Sequence, residues 1–200
     1  MLTLAINTAS SNTEIALLMG DQVLAEKSWP SANGEAEKLM PEINALITPH
    51  AFQDIKRVVV IKGPGSFTGL RVGVTVANTL AYLNSAKLNA ISTFDYWHAK
   101  APNQTATLVT FAGKGGIYIN DGDVLNLSEA NDYFDSQNIT EIYGDITEDQ
   151  KMELTPQHLK SDKKFGETVL KIISENNLED LKIVKPLYVK PPNISKSKKL

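Results

Sequence analysis

Apolar residues in the first hundred positions come in short runs punctuated by turn formers. Residues 2–6, LTLAI, read as a strand, and the polar stretch 7–12 as the turn that ends it. Residues 14–19 make a second run, Gly20 and Asp21 a tight connection, and residues 23–29 a third run. Three such segments joined by short polar turns predict an antiparallel meander. The period then changes. Ala36, Leu39, Met40, Ile43, Leu46 and Ile47 recur at steps of three and four, the spacing of one apolar helical face. Asn33 is the expected cap, and Glu35 and Glu37 suit the positive end of the helix dipole. Pro41 either kinks this helix or marks its true first turn. Residues 56–62 enclose Val58-Val59-Val60-Ile61, dense enough for a strand buried on both faces.

The loop 63–71, GPGSFTGLR, follows that strand, and the segment beyond it carries two periods at once. Val72, Val74 and Val76 alternate as in a strand. Gly69, Gly73, Ala77 and Ala81 fall four apart, as a small-residue ridge on a helix would. The run over 70–83 holds no breaker and exceeds the usual strand length, which favours the helix. Residues 88–91 then predict a short strand, 93–100 a helix, and 101–103 the clearest linker. That linker divides the chain into 1–102 and 103–200. The second part offers strand candidates at 105–111, 117–120 and 123–127, the last two joined by the hairpin signal Asp121-Gly122. Phe165, Val169, Ile172 and Ile173 share one face of a helix starting near 161–162, and the tail 185–192 is expected to be extended. No internal repeat or low-complexity block interrupts the pattern.

Composition adds exclusions. Two hundred residues suffice for one domain or two small lobes, burying ~70% of the chain's surface on folding. Twenty basic and twenty-three acidic residues leave a net charge of −3, which rules out a uniformly basic nucleic-acid coat. Zero cysteines remove disulfides, thiol catalysis, iron–sulfur clusters and cysteine-ligated zinc. No apolar run approaches the ~18 residues of a membrane span, and the N-terminus lacks a basic signal-peptide region. A cytoplasmic location without membrane partners is expected.

Candidate chemistry centres on the glycines. Gly63, Gly65 and Gly69, with Ser66, Thr68 and Arg71 among them, form a loop between strand and helix whose amides could meet an anion. The commoner reading of such a loop is a tight bend with close packing. It matches neither the dinucleotide fingerprint, since Thr68 takes the last glycine position, nor the P-loop, since no Lys-Ser/Thr follows. Thr8, Ser10 and Ser11 supply hydroxyls after the first strand, but Asn7 is a poor anchor for Mg²⁺ where a carboxylate is wanted. His50, His98 and His158 are dispersed without metal-ligand spacing, and no G-x-S-x-G elbow exists, so neither catalytic residues nor a metal site is expected. The lysines at 182, 185, 190, 196, 198 and 199 read as a solvated tail more readily than as an RNA contact. The stripe over 36–47 and the ridge over 69–81 face the protein's own core or the helices of a partner. Both readings stand at this level.

At 63–83, GPGSFTGLRVGVTVANTLAYL, the chain closely resembles the bacterial TsaB (YeaZ) family. LAINTASSNTEIALL is similar to that family's opening hairpin, EAEKLMPEINALI to its first helix with a proline at Pro41, and PLYVKPP to its C-terminal motif. The likeness is specific over 1–92 and in the tail, and faint over about 103–180. It implies an α/β, two-lobed fold of the actin-like ATPase (ASKHA, ribonuclease H-like) type, with mixed sheets flanked by helices, and a helix at 70–83.

It further implies a scaffold and activator rather than a stand-alone enzyme. Members of this family are degenerate paralogues of the TsaD (Kae1-type) catalytic subunit and dimerise with it. With a TsaE-type ATPase, the assembly transfers a threonylcarbamoyl group, made as an adenylate by TsaC, to the tRNA adenosine beside the anticodon. The implied partners are therefore TsaD, TsaE and, through the complex, tRNA, with a homodimer as the state open to the isolated chain. No cofactor is expected on this chain alone, with ATP or ADP held at the assembled complex. The docking surface would comprise Leu39, Ile43 and Leu46 with Val72, Gly73, Val76, Ala77 and Leu80, and a charge at Gly73 or Ala77 should block docking without unfolding the chain. Departures from the family are Asn7 for a usual Asp, Glu35 for a common His, and residues 111–118 (FAGKGGIY) for a stretch bearing two carboxylates and an arginine. The rival readings are an ATP-dependent phosphoryl- or acyl-transferase and, more remotely, a metallopeptidase-like activity.

Overall fold

The structure, a computed structural model, describes residues 1–31, 34–103, 105–112, 115–120 and 122–189, without the side chain of Asp123. The meander forms as its short apolar runs and polar turns predict. β1 (Leu2–Asn7), β2 (Asn12–Met19) and β3 (Gln22–Pro30) pair antiparallel, with Leu4 opposite Leu17 and Ile6 opposite Ile15. β4 (Ile55–Ile61) adds parallel to the free side of β1, and β5 (Lys87–Ile91) parallel to β4. The strand order is β3-β2-β1-β4-β5. Helices cover both faces of the centre, which is why β1 and residues 58–61 are buried at consecutive positions. One face carries α1 (Glu35–Ile47) and α2 (Phe67–Asn84), where Leu39, Ile43 and Ala77 share a core with Leu4, Ile6 and Val60. The other carries α3 (Thr93–Lys100) and α6 (Phe165–Glu175), where Tyr96, Phe165 and Val169 meet Ala5, Leu18 and Val59.

The ambiguous segment after the glycine loop is helical. α2 begins three residues before the expected start because Ser66 caps it, its Oγ accepting from Gly69 N at 3.2 Å. α1 starts at Glu35, so Pro41 lies inside it on the exposed side and does not mark its first turn. The expected cap Asn33 lies outside the described residues.

The second sheet has the order β10-β9-β6-β7-β8. It comprises β6 (Thr107–Phe111), β7 (Gly116–Ile119), β8 (Asp123–Asn126), β9 (Glu141–Asp145) and β10 (Gln157–His158). β7 and β8 pair antiparallel across the expected hairpin, of which Asp121 lies outside the described residues. α4 (Leu127–Ser136) and α5 (Glu148–Glu153) accompany this sheet, and its core gathers around Phe134, Ile117, Val109 and Ile142.

The division at residue 102 needs correction. Residues 165–188 do not belong with the second sheet. α6 packs on the first, fixed by Gly166 N donating to Glu26 Oε2 at 2.9 Å, and the segment after it straps the β5 edge. Leu181 N donates to Leu88 O, Leu88 N to Asp180 Oδ1, and Leu187 N to Lys62 O. The apolar stripe of α6 is partnered by Ala5, Ala16 and Leu18 across a hundred and fifty residues of chain, a pairing that local sequence does not encode. Residues 190–200, with the terminal lysines and Pro191-Pro192, lie outside the described residues.

Candidate functional site

The carboxyl ends of β1 and β4 in the first sheet, with the loop after β5, converge on the ends of β6 and β9 in the second. Open α/β sheets place ligand clefts at this kind of position. A cleft of about 220 Å³ lies there, with Ala9, Ser10, Ser11, Gly65, Ser66 and Thr93 on one side and Thr110, Phe111, Asp145 and Ile146 on the other. The two lobes meet directly across it. Ser11 donates its backbone N–H to Asp145 Oδ2 at 2.7 Å and its hydroxyl to Oδ1 at 2.5 Å.

The glycine loop is built for close approach. Gly63 has φ +106° and accepts from Thr93 N at 2.9 Å. A Cβ at Gly65, Gly69 or Gly73 would collide with Ala9 O, Thr8 O or Thr8 Oγ1. Ser66 N donates to Ala9 O at 2.8 Å, and Thr8 Oγ1 donates to Gly69 O at 2.7 Å. Three glycines one helical turn apart thus seat α2 on the turn at Thr8–Ala9, and the amides of Ser66 and Gly69 are engaged within the chain. Of the proposed loop residues, Gly65 and Ser66 line the cleft. Thr68 and Arg71 are exposed, with the Arg71 guanidinium 4.3 Å above the Phe67 ring and that ring 5.1 Å from Tyr188.

Beneath the turn lies a polar network that the sequence did not reveal. Asn7 Nδ2 donates to Glu14 Oε2 at 2.8 Å and to Ser10 Oγ at 3.0 Å, while its Oδ1 accepts from Ala9 N. Glu14 also accepts from Tyr96 Oη at 2.8 Å and Lys100 Nζ at 3.2 Å, and Lys100 Nζ donates to Tyr96 Oη. Burial, then the adjacent Glu14 charge, hold the Tyr96 phenol well above its ordinary range, so it remains a donor. Glu14 stands 82 and 86 positions from Tyr96 and Lys100 in sequence, with no motif joining it to them.

Mg²⁺-nucleotide fits these residues poorly. Both ends of the Asn7 amide are engaged inside the network. Asp145 is the one charged side chain among the described residues lining the cleft, which carries no lysine or arginine to meet phosphate. No group of three or more His, Asp or Glu among the described residues could hold a metal ion. No described helix is long and apolar enough to cross a membrane.

The paired helices divide their residues sharply. Leu39, Ile43, Gly73, Ala77 and Leu80, expected on a docking surface, are buried, and Leu39, Ile43, Ala77 and Leu80 belong to the chain's own core. A charge at Gly73 or Ala77 would therefore attack the fold itself, contrary to the expectation. Leu46, Val72 and Val76 are half-buried at the margin. The outward face presents Met40, Arg71, Thr75 and Thr79, with Tyr82 85% and Leu83 69% exposed at its end.

Comparison with known proteins bears on this arrangement. Residues 31–151, from the end of β3 into α5, match the family model described as TsaD: tRNA N6-adenosine threonylcarbamoyltransferase. A curated relative, the tRNA threonylcarbamoyladenosine biosynthesis protein TsaB of Bacillus subtilis (strain 168), is 39% identical over 97 residues. That match spans 48% of this chain and 42% of the relative, less than half the relative's length. Among solved structures, YeaZ from Pseudomonas aeruginosa superposes with a TM-score of 0.70 at 19% identity, over 94% of this chain and 99% of that one. A second, described as having similarity to peptidase YEAZ and from the same organism, gives 0.70 at 18% over the same shares. At such identities the superpositions speak for the fold alone, whereas the family model covers more than half of the 200 residues. This chain belongs to the TsaD family and is similar over 97 residues to a TsaB protein.

Proposed function

We propose that this protein is a non-catalytic subunit of the machinery that makes threonylcarbamoyladenosine in tRNA, docking a TsaD-type catalytic subunit through the outward face of α1 and α2. The carrying observation is the exposed apolar band at the end of that face. Tyr82 and Leu83 lie open in the last turn of α2, which also carries half-buried Val72 and Val76, and Met40 is exposed on α1. Large exposed apolar side chains gathered on one helix pair mark interaction surfaces. The likeness to a TsaB protein supports a TsaD-type partner, and the poor fit of Mg²⁺-nucleotide to the cleft supports a role without bond-making. The same reading places the protein in the cytoplasm and assigns ATP or ADP, the TsaE-type ATPase and tRNA to the assembled complex. In the absence of TsaD, this apolar face is the surface for self-association. The rival reading, an ATP-dependent transferase, finds no supporting observation in the cleft.

Met40→Arg and Thr75→Arg change exposed positions and leave the core untouched. Co-purification with a TsaD-type subunit should fall at least about tenfold for the double variant, with unchanged thermal unfolding. Undiminished capture would remove the proposal. So would turnover of Mg–ATP by the purified chain alone.

A further inference from the structure

The net charge of −3 hides an uneven division. No Asp or Glu occurs between Asp54 and Asp95, a stretch that carries Lys56, Arg57, Lys62, Arg71 and Lys87, and none follows Asp180. The fold lays these two acid-free stretches side by side. Leu181 N donates to Leu88 O at 2.8 Å, Asn78 grips Val184, and Leu187 N donates to Lys62 O at 2.7 Å. Lys182 and Lys185, read from sequence as part of a solvated tail, are thereby fixed on the strap, Lys182 toward Lys87 and Lys185 toward Lys62. Lys62 is half-buried and Arg71, Lys87, Lys182 and Lys185 are exposed, and none of them forms an ion pair among the described residues. By contrast, Lys27, Lys100, Lys151, Lys164 and Lys171 each reach a carboxylate. Arg57 even stands in register with Lys87 on the neighbouring strand, where like charges repel. Glu179 and Asp180 bound the strap at its start, and Asp180 Oδ1 is engaged there by Leu88 N. At the strap's other end Phe67 meets both the Arg71 guanidinium and the Tyr188 ring, and Tyr188 stays 38% exposed.

We infer that the strapped β5 edge is a docking surface for an RNA strand, its lysines facing phosphates and Tyr188 offering a ring to an unpaired base. Cations left unanswered within the chain create a local positive field, and a polyanion that meets them gains by releasing its own counterions. The cations are strung along an extended segment, so they follow a strand's backbone and read no sequence. The exposed ring among them favours nucleotides over an acidic peptide, because every base has a face to stack. The choice of RNA rests on the proposed role in tRNA modification. Lys182, Lys185 and Tyr188 lie outside the α1–α2 face proposed for the catalytic subunit, so one chain can hold RNA and partner together, with Arg71 bordering both surfaces.

Fluorescence anisotropy of a labelled single-stranded RNA titrated with the full chain tests it. Affinity should fall at least about tenfold between about 50 and about 200 mM salt. Lys182→Glu combined with Lys185→Glu should weaken binding at least about tenfold and flatten that salt dependence. Thermal unfolding of this variant should stay level or rise, since neither lysine has an anionic partner within the described residues. Tyr188→Ala should weaken binding about fivefold or more. Polyglutamate and phosphatidylglycerol vesicles should bind at least about tenfold more weakly than RNA. Capture of a TsaD-type subunit by the double lysine variant should be undiminished, which separates this surface from the docking role proposed above. Absence of RNA binding, affinity that ignores salt, or strap variants as tight as the parent would each overturn the surface. Equal or tighter binding of polyglutamate or of the vesicles would do the same, by assigning the edge to an acidic protein or to a lipid surface.

Discussion

Asn7 ends β1 at the point where a carboxylate would be needed to hold a nucleotide's metal, and its neighbours explain why an amide stands there. Its Nδ2 donates to the buried Glu14 carboxylate, and only an amide can also accept from Ala9 N with the other end. An aspartate would set two carboxylates against each other in a site where Lys100 already answers one. Asn7→Asp should therefore cost about 2 kcal/mol, the worth of a hydrogen bond to a charged group, in urea unfolding. Adding Glu14→Gln should recover part of that loss, because the new amide donates to the new carboxylate. Strict additivity of the two changes would show that the residues are not coupled.

The elements owe their positions to contacts made far along the chain. β5 forms the edge of the first sheet and is protected there by the segment following α6, a covering of the kind exposed edges require. Asn78 on α2 grips that segment with both ends of its amide, Nδ2 donating to Val184 O at 2.9 Å and Oδ1 accepting from Val184 N at 2.8 Å. Asn78→Ala leaves the Val184 backbone groups unanswered beside a buried side chain. Trypsin should then cut after the exposed Lys182 several-fold faster than in the parent chain. Equal rates would mean that Leu187 and the β5 bonds hold the strap unaided.

Across the whole molecule, the two sheets meet at Ser11 and Asp145, with Tyr143 Oη donating to Lys100 O at 3.1 Å behind them. His158 on β10 is the acid-sensitive point of the second lobe. Burial lowers its pKa, a backbone bond to Gly144 O opposes that shift, and Lys151 lowers it further. Folding therefore favours the neutral ring. Its contribution is complete above the unfolded value of about 6.5 and is lost as pH falls from there through the lower folded value. The urea midpoint should drop between pH 7.5 and pH 5 by more in the parent chain than in His158→Gln, which cannot be protonated in that range. Parallel declines would show that other groups govern acid stability.

What the residues themselves determined is the local order. Short apolar runs between turn formers set the meander, the unbroken length of 70–83 with its four-residue ridge set α2, and the dense apolar run set β4, because run length, period and turn chemistry are local properties of the chain. The weakly apolar second half hid α4, α5 and β9, where the capping pair Asn126 and Glu129 was the available signal. Tertiary structure decided the rest. It turned Leu39, Ile43 and Ala77 inward, since an apolar helical stripe reads identically whether its own sheet or a partner covers it. It returned α6 to the first sheet, assembled Asn7, Glu14, Tyr96 and Lys100, and brought Thr93, Thr110 and Asp145 to one cleft. Those meetings join residues tens of positions apart, and chain closure over such distances is fixed by the packing of whole layers, which no local pattern records.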